Sequence, residues 1–128
     1  MSGRWVTDVH FTDVDGSLGD YMLEADLVYE DKDGKLWITP SGFEGDLSSI
    51  PRFLRPFIPK TILGKTPWLH DYLYRVQPLG VKRKTADRLY REGAKAEGMS
   101  DGKARVMYAG LRMGGWVTWA AHAKKKRK

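Results

Sequence analysis

The length, composition and charge of this chain limit the kind of protein it can be. Its 128 residues suit one domain with one hydrophobic core, and a hydrophobic content of 41%, with five Trp, six Tyr and four Phe, excludes a disordered chain. The absence of cysteine excludes a disulfide framework, a thiolate metal site and a cysteine nucleophile. The net charge of +6 comes mainly from residues 124–128, so we expect a nearly neutral domain over residues 1–123.

The basic run at residues 124–128 predicts a disordered, solvated tail because like charges repel one another. Its alternative role is weak contact with nucleic acid or with an anionic surface such as lipid. The first residues do not have the pattern of a signal peptide, and no apolar stretch approaches the ~18 residues of a membrane-spanning helix. We therefore expect a soluble protein in a reducing cytoplasm, or in a particle assembled there.

The N-terminal part predicts a small antiparallel sheet or a hairpin. Residues 5–11 indicate a first strand, which ends at the turn-rich residues 13–17. Aromatic and β-branched residues then increase from Tyr21 to Tyr29, and Asp31-Lys32-Asp33-Gly34 leads into Leu36–Thr39, which is the pattern of a β-hairpin. The Asp-Gly pairs lack the ligand spacing of an EF-hand, so they indicate turns.

Four prolines between Pro40 and Pro59 predict an ordered, irregular segment, because proline is incompatible with a long helix or a central strand. This segment contains Gly42-Phe43-Glu44-Gly45-Asp46-Leu47-Ser48-Ser49-Ile50-Pro51-Arg52. Asp46 has two candidate roles: it organises the turn by accepting backbone hydrogen bonds, or it joins the site described below as a metal ligand.

The C-terminal half predicts about three helices and, with the strands, an α+β fold. The first covers about residues 67–77, with Thr66 as N-cap and Pro67 at the first helical position. The second begins at or just before Thr85 and ends at Gly98. The third begins at residue 100 or 101 and reaches toward residues 116–119, and the pair at 114–115 marks a kink or an end. The Met and Trp content of this helix could indicate contact with a membrane, but Lys103, Arg105 and Arg112 interrupt the apolar pattern, so we expect these residues to pack in the core.

The first predicted helix carries the main candidate site. His70 and Tyr74 are one turn apart and share a face, whereas Asp71 projects about 100° away. An antiparallel partner helix would bring Asp87 opposite His70 or Tyr74. A neutral imidazole with a carboxylate partner can act as a general base, and a second carboxylate such as Asp71 can hold a hard cation. The alternative is that His70 is a hydrogen-bonded structural residue and that both aspartates pair with Arg or Lys.

These segments together resemble a family of small phage and prophage proteins known only as a domain of unknown function. The resemblance depends on Gly42-Phe43, Asp46-Leu47-x-Ser49-Ile50-Pro51-Arg52, His70-Asp71-x-Leu73-Tyr74 and Ala86-Asp87, and it covers roughly residues 20–118. It implies a phage or prophage source and no particular activity. The host cytoplasm, or the virion, is then the expected location.

A shorter resemblance, over about 20 residues, is to the catalytic helices of phospholipases A2, especially the disulfide-free type found on parvovirus capsid proteins. It implies that His70 is the base that activates water, that Asp71 is a calcium ligand, and that Tyr74 and Asp87 orient the histidine. The glycine-rich calcium loop of those enzymes is not found shortly before His70, and Gly45-Asp46 lies far upstream.

Three hypotheses about function follow. The first is a phage-encoded, metal-assisted hydrolase of lipid or another ester, with Asp71 and Asp46 as candidate calcium ligands. The second is a non-catalytic virion protein of the tail or neck, or an assembly protein, that binds other phage proteins. The third is nucleic-acid binding through the basic tail, without a helix-turn-helix, zinc-finger or single-strand platform pattern.

Overall fold

The computed structural model describes residues 3–13, 21–45 and 65–126, and in these residues six short strands precede four helices. The strands are β1 (Arg4–Trp5), β2 (Phe11–Asp13), β3 (Tyr21–Leu23), β4 (Leu27–Glu30), β5 (Leu36–Thr39) and β6 (Glu44–Gly45). The helices are α1 (Lys65–Val76), α2 (Arg83–Ala96), α3 (Asp101–Gly114) and α4 (Trp116–Lys126). Strands followed by helices make an α+β fold, which confirms the predicted class.

The strands form two antiparallel sheets of three strands each, with the orders β1-β4-β5 and β2-β3-β6. The predicted hairpin is β4 with β5, in which Tyr29 lies opposite Trp37. Burial alternates along this hairpin, because Tyr29 and Trp37 are buried whereas Leu36 and Ile38 are exposed. One face of the sheet therefore packs on the core and the other faces solvent.

Asp31 holds the turn between β4 and β5. Its carboxylate accepts hydrogen bonds of 2.9 Å each from the backbone N–H groups of Asp33 and Lys35 and from the indole of Trp37. Gly34 has a φ of 85°, which favours glycine at this position. Burial alone would raise the pKa of Asp31, but the hydrogen bonds from Trp37, Lys35 and Asp33 outweigh it and lower the pKa below the ordinary value of 3.8.

Helix α1 begins at Lys65, and its N-terminus is capped by a residue of another helix. Thr66 was the predicted N-cap, but it lies inside the first turn. The backbone N–H groups of Lys65 and Thr66 donate to the carboxylate of Glu97 at 2.9 and 2.8 Å, and the Thr66 hydroxyl donates to it as well. A carboxylate at this position satisfies N–H groups that the helix itself leaves unpaired and opposes the positive end of the helix dipole.

Helices α2, α3 and α4 follow the predicted pattern, except that the third predicted helix is divided in two. Gly98, with a φ of 105°, lies just beyond α2. Ser100 caps α3, because its hydroxyl accepts a hydrogen bond from the backbone N–H of Lys103 at 3.2 Å. The third predicted helix is two helices, because the pair Gly114-Gly115 ends α3 and α4 begins at Trp116.

Helix α1 is central in the packing. On one side Trp68 packs with Leu23 and Leu27 of the strands. On the other sides α1 contacts α2 and α4. The largest buried cluster joins all these layers and contains Tyr29, Trp37, Leu69, Leu73, Tyr74, Ala86 and Leu89. The site residues of α1 are therefore enclosed by elements from both halves of the chain.

Two sequence predictions change at this level, and a third falls mostly outside the described residues. The single strand predicted over residues 5–11 is divided between β1 and β2, which belong to different sheets. The predicted disordered tail at residues 124–128 is helical as far as Lys126, because α4 continues into it, and the alanines that precede the lysines favour a helix. Residues 14–20 and 46–64, with most of the proline-rich segment, lie outside the described residues.

No helix among residues 3–13, 21–45 and 65–126 is long and apolar enough to cross a membrane.

A candidate active site around a buried histidine and aspartate

Helix α1 places His70 and Tyr74 on one buried face. Both side chains are fully enclosed, with residue exposures of 1% and 0%. They lie inside the core, because α2 and α4 both pack against α1. Two buried polar groups one helical turn apart require partners from a neighbouring element.

Asp87 of α2 is the partner of both residues. Its Oδ1 atom lies 2.9 Å from Nε2 of His70 and accepts a hydrogen bond of 2.6 Å from the hydroxyl of Tyr74. Because a carboxylate only accepts, Nε2 of His70 is the donor in this contact. The prediction that Asp87 approaches the face of His70 and Tyr74 is confirmed, and Asp87 contacts both residues at once.

Two arginines bind the other oxygen of Asp87. Oδ2 accepts from Nη1 of Arg83 at 3.2 Å and from Nη1 of Arg112 at 3.1 Å. Arg83 also donates to the backbone carbonyls of Leu111 and Arg112, at 2.9 and 3.2 Å, so it joins the start of α2 to the end of α3. A carboxylate with 0% side-chain exposure therefore has compensating positive charge, which such burial requires.

The environment also fixes the protonation of Tyr74. Burial raises the pKa of Tyr74 far above its ordinary value, and the charge of Asp87 and the hydrogen bond to it act in the same direction. Tyr74 is therefore a neutral hydrogen-bond donor at neutral pH. It can orient the carboxylate, but it cannot itself act as a base.

Aromatic rings hold the imidazole from two sides. The ring centroid of His70 lies 4.3 Å from that of Tyr74 and 5.2 Å from that of Tyr90, which meets it edge to face. Such contacts, together with the hydrogen bond to Asp87, leave the imidazole with one orientation. An oriented imidazole paired with a carboxylate can accept a proton from a water or a hydroxyl group.

Asp71 belongs to a different environment. Its Oδ2 atom lies 3.4 Å from Nε of Arg75, one turn further along α1. Asp71 also lies close to Gly45 at the end of β6. There is little room for a side chain at position 45, since a Cβ atom would lie 3.2 Å from Oδ2 of Asp71 and 3.1 Å from the ring of Trp68. Arg75 in turn donates to the carbonyl of Glu44 at 3.2 Å. The structure thus brings the Glu44–Gly45 strand to Asp71, whereas Asp87 lies in the separate cluster around His70.

The candidate metal site is only partly inside the described residues. Asp46 was predicted as a second ligand and lies outside them, immediately after Gly45. Among residues 3–13, 21–45 and 65–126 no group of three His, Asp or Glu side chains could hold a metal ion. In that part of the chain Asp71 has a guanidinium beside it, so the donor set described does not by itself fit calcium.

Sequence reasoning missed three residues of this site. Arg83 had a local signal, because it lies four residues before Asp87 on the same helix, where opposite charges meet. Arg112 and Tyr90 had none, since the approach of α3 to Asp87 and the crossing of α1 with α2 depend on tertiary packing.

The fold and the site together define a small α+β protein whose histidine-aspartate pair is buried between two helices. Residues 21–111 match a family model described as protein of unknown function (DUF1353), and the chain belongs to that family. The match includes every residue of the site from His70 to Asp87 and ends before the junction of α3 with α4. No curated protein matches the chain, and no solved structure matches it.

Proposed function

We propose that this protein is a phage-encoded ester hydrolase in which His70 is the general base of a phospholipase-A2-like site. The observation that supports this most directly is the 2.9 Å contact between Nε2 of His70 and Oδ1 of Asp87, with Tyr74 on the same oxygen. The resemblance to phospholipases A2 implies that Tyr74 and Asp87 orient the histidine, and these two contacts support that role. Phage or prophage origin, and a location in the host cytoplasm or the virion, belong to the same proposal.

The proposed step uses only residues of this chain. The imidazole of His70 accepts a proton from water while the water oxygen bonds to the carbonyl carbon of the ester. The protonated imidazole then gives that proton to the leaving alkoxide as its bond to the carbonyl carbon breaks. The products are a carboxylic acid and an alcohol. The carboxylate of Asp87 stabilises the imidazolium that exists between the two transfers.

Calcium held by Asp71 and Asp46 stays a prediction of the resemblance. A bound calcium would polarise the ester carbonyl, and the mechanism above routes no step through it. Gly45 lies close to Asp71, which supports a position for the neighbouring Asp46 near α1. The ion pair between Asp71 and Arg75 opposes the binding of a metal cation by Asp71.

The second candidate is a non-catalytic virion or assembly protein. One observation favours it: Asp87 joins α1, α2 and α3 through His70, Tyr74, Arg83 and Arg112, which is what a structural polar cluster does. All of these contacts stabilise the fold whether or not His70 transfers a proton.

Fatty-acid release from mixed phospholipid vesicles tests the first proposal against the second. The assay compares the native protein with His70→Gln, with calcium and with chelator. Glutamine keeps an N–H donor near the position of Nε2 and removes the base, so the variant retains a partner for Asp87. His10→Ala is the matched control, because His10 is exposed and lies outside the site.

We expect release by the native protein and by His10→Ala, and a loss of about 100-fold or more in folded His70→Gln, the usual size of a general-base contribution. Equal release by native protein and His70→Gln would refute the role of His70. No release under any condition, from vesicles or from soluble esters, would favour the structural candidate. Near-ultraviolet circular dichroism of each variant establishes that it is folded.

A further inference from the structure

The outer surface of α3 and α4 is unusually apolar for helices that face solvent. Met113, Trp116 and Val117, around the junction of the two helices, have residue exposures of 76%, 59% and 56%. The sequence predicted core positions for the Met and Trp residues of this region, but Met113 and Trp116 lie at the surface. Along α4 the exposed positions are 116, 117, 120, 121 and 124, which form one helix face of Trp, Val, two Ala and finally Lys124.

The same region has one sign of charge. Residues 102–128 contain eight Lys and Arg and no Asp or Glu. The other 14 Lys and Arg share residues 1–101 with all 16 Asp and Glu, so the positive charge of the protein is concentrated at this end of the chain. Between Arg112 and Lys124 there is no Asp, Glu, Lys or Arg residue. The exposed apolar positions of α4 are thus followed directly by the basic run at residues 124–128.

We propose that this outer surface of α3 and α4, defined by Met113, Trp116, Val117 and Lys124, docks on a lipid bilayer that contains anionic lipids. Exposed apolar side chains gain free energy by entering the acyl boundary, and tryptophan is well suited to the interface between headgroups and acyl chains. Basic residues beside them are attracted to anionic headgroups. Helix α4 would lie on the bilayer, which agrees with the absence of a spanning helix in the described residues.

Other occupants fit this surface less well. Nucleic acid would use the positive charge but would leave Met113 and Val117 without apolar contact. A second copy of the chain would bring two surfaces of the same charge together. A bilayer with anionic lipids satisfies the apolar and the basic residues at once.

The docking surface lies directly outside the histidine cluster. Gly115, at the junction, packs against the hydroxyl of Tyr74. The ring of Trp119 meets that of Tyr74 edge to face at 5.2 Å, and the Trp119 carbonyl accepts from Gln77 at 2.8 Å. Docking therefore places the site next to the bilayer. The binding itself holds whether or not His70 is catalytic.

Co-sedimentation with vesicles tests the proposal on the full chain. The vesicles are phosphatidylcholine alone, or phosphatidylcholine mixed with phosphatidylglycerol in equal amounts, each at low and at high salt. The test variant is Trp116→Ser with Val117→Ser. The matched control is Leu36→Ser with Ile38→Ser, which removes two side chains of similar exposure, 53% and 49%, from the solvent face of β5.

We expect binding to the mixed vesicles, weaker binding to phosphatidylcholine alone, and a loss of about tenfold or more in the Trp116-Val117 variant, because that variant lacks two apolar side chains that the bilayer would bury. Replacing the five basic residues 124–128 by Gln should also weaken binding and reduce its salt dependence. The Leu36-Ile38 control and His70→Gln should bind like the native protein.

Three results would overturn the proposal: no binding of the native protein to mixed vesicles, unchanged binding by the Trp116-Val117 variant, or equal loss in the Leu36-Ile38 control. A fourth comes from a competition arm with a short DNA duplex. If the duplex binds more tightly than the mixed vesicles, and its binding ignores Trp116 and Val117, then the basic end is a nucleic-acid tail. Vesicle binding without hydrolysis would leave this inference intact and reject only the proposed activity.

Discussion

Replacement of Asp87 by Asn is the sharpest test of how the cluster stabilises the fold. The amide keeps one oxygen for His70 and Tyr74 but presents an NH₂ group where Oδ2 met Arg83 and Arg112. Two charge-assisted hydrogen bonds are lost, each worth about 1.5–3 kcal/mol. The side chains of Arg83 and Arg112 are 16% and 33% exposed, so water replaces part of that loss. We therefore expect a decrease of about 3 kcal/mol in the free energy of unfolding, at the lower end of the range for breaking a buried ion pair.

Urea denaturation followed by circular dichroism measures this change, which corresponds to a decrease of about 10 °C in Tm. The matched control is Asp101→Asn. Asp101 also has three cationic neighbours, at 3.6, 3.1 and 3.1 Å, but it lies at the surface. Its loss should move the urea midpoint much less, because solvent screens exposed pairs. A decrease below about 1 kcal/mol for Asp87→Asn would refute the reasoning, since the buried cluster would then contribute no more than a surface network.

Three further predictions concern the supports of the site. Gly115→Ala should destabilise the protein by about 1–3 kcal/mol, because the added Cβ atom would overlap the hydroxyl of Tyr74 and lie 2.6 Å from the carbonyl of Leu111. In thermal melts, adding Tyr74→Phe to this variant should restore only part of the lost stability, because the contact with Leu111 remains. Glu97→Gln should cost about 1 kcal/mol in urea denaturation, because it weakens the cap of α1. Because its pKa is lowered, ionised Asp31 contributes fully to the free energy of unfolding well above pH 3.8, and this contribution is lost as the pH falls through the folded-state pKa. The Asp31→Asn variant should therefore be less stable than the native protein at neutral pH and should lose less stability on acidification. Urea midpoints from about pH 6 to pH 2 measure both differences.

Helical spacing was enough to predict part of the site. The four-residue interval between His70 and Tyr74 put them on one face, and a short connection to the next helix implied an antiparallel partner that carries Asp87. Spacing did not fix the register of α1 against α2, so the single oxygen shared by His70 and Tyr74 follows only from the structure. Local patterns along the chain specify faces, whereas the relative shift of two helices depends on how their side chains pack.

Long-range contacts account for what the sequence did not reveal. Thr66 has the composition of an N-cap, yet Glu97 from the end of α2 occupies that role, 31 residues away. Arg112 reaches Asp87 across 25 residues and has no local partner that would mark it. The exposure of Trp116 and Val117 likewise depends on which face of α4 packs against α1, a tertiary contact that the local sequence does not mark.

His70 is the residue that separates a catalytic cluster from a structural one. If the only purpose of the cluster were to join the helices, the imidazole would add little, because Tyr74 already links α1 to Asp87, and Arg83 and Arg112 already link α2 and α3 to it. A buried imidazole does have one property that these three groups lack at neutral pH, which is the ability to accept and return a proton. Variants of Asp87 change stability and orientation together, so they cannot distinguish the two roles. His70→Gln changes the proton chemistry while retaining a donor for the carboxylate, and its activity therefore decides between them.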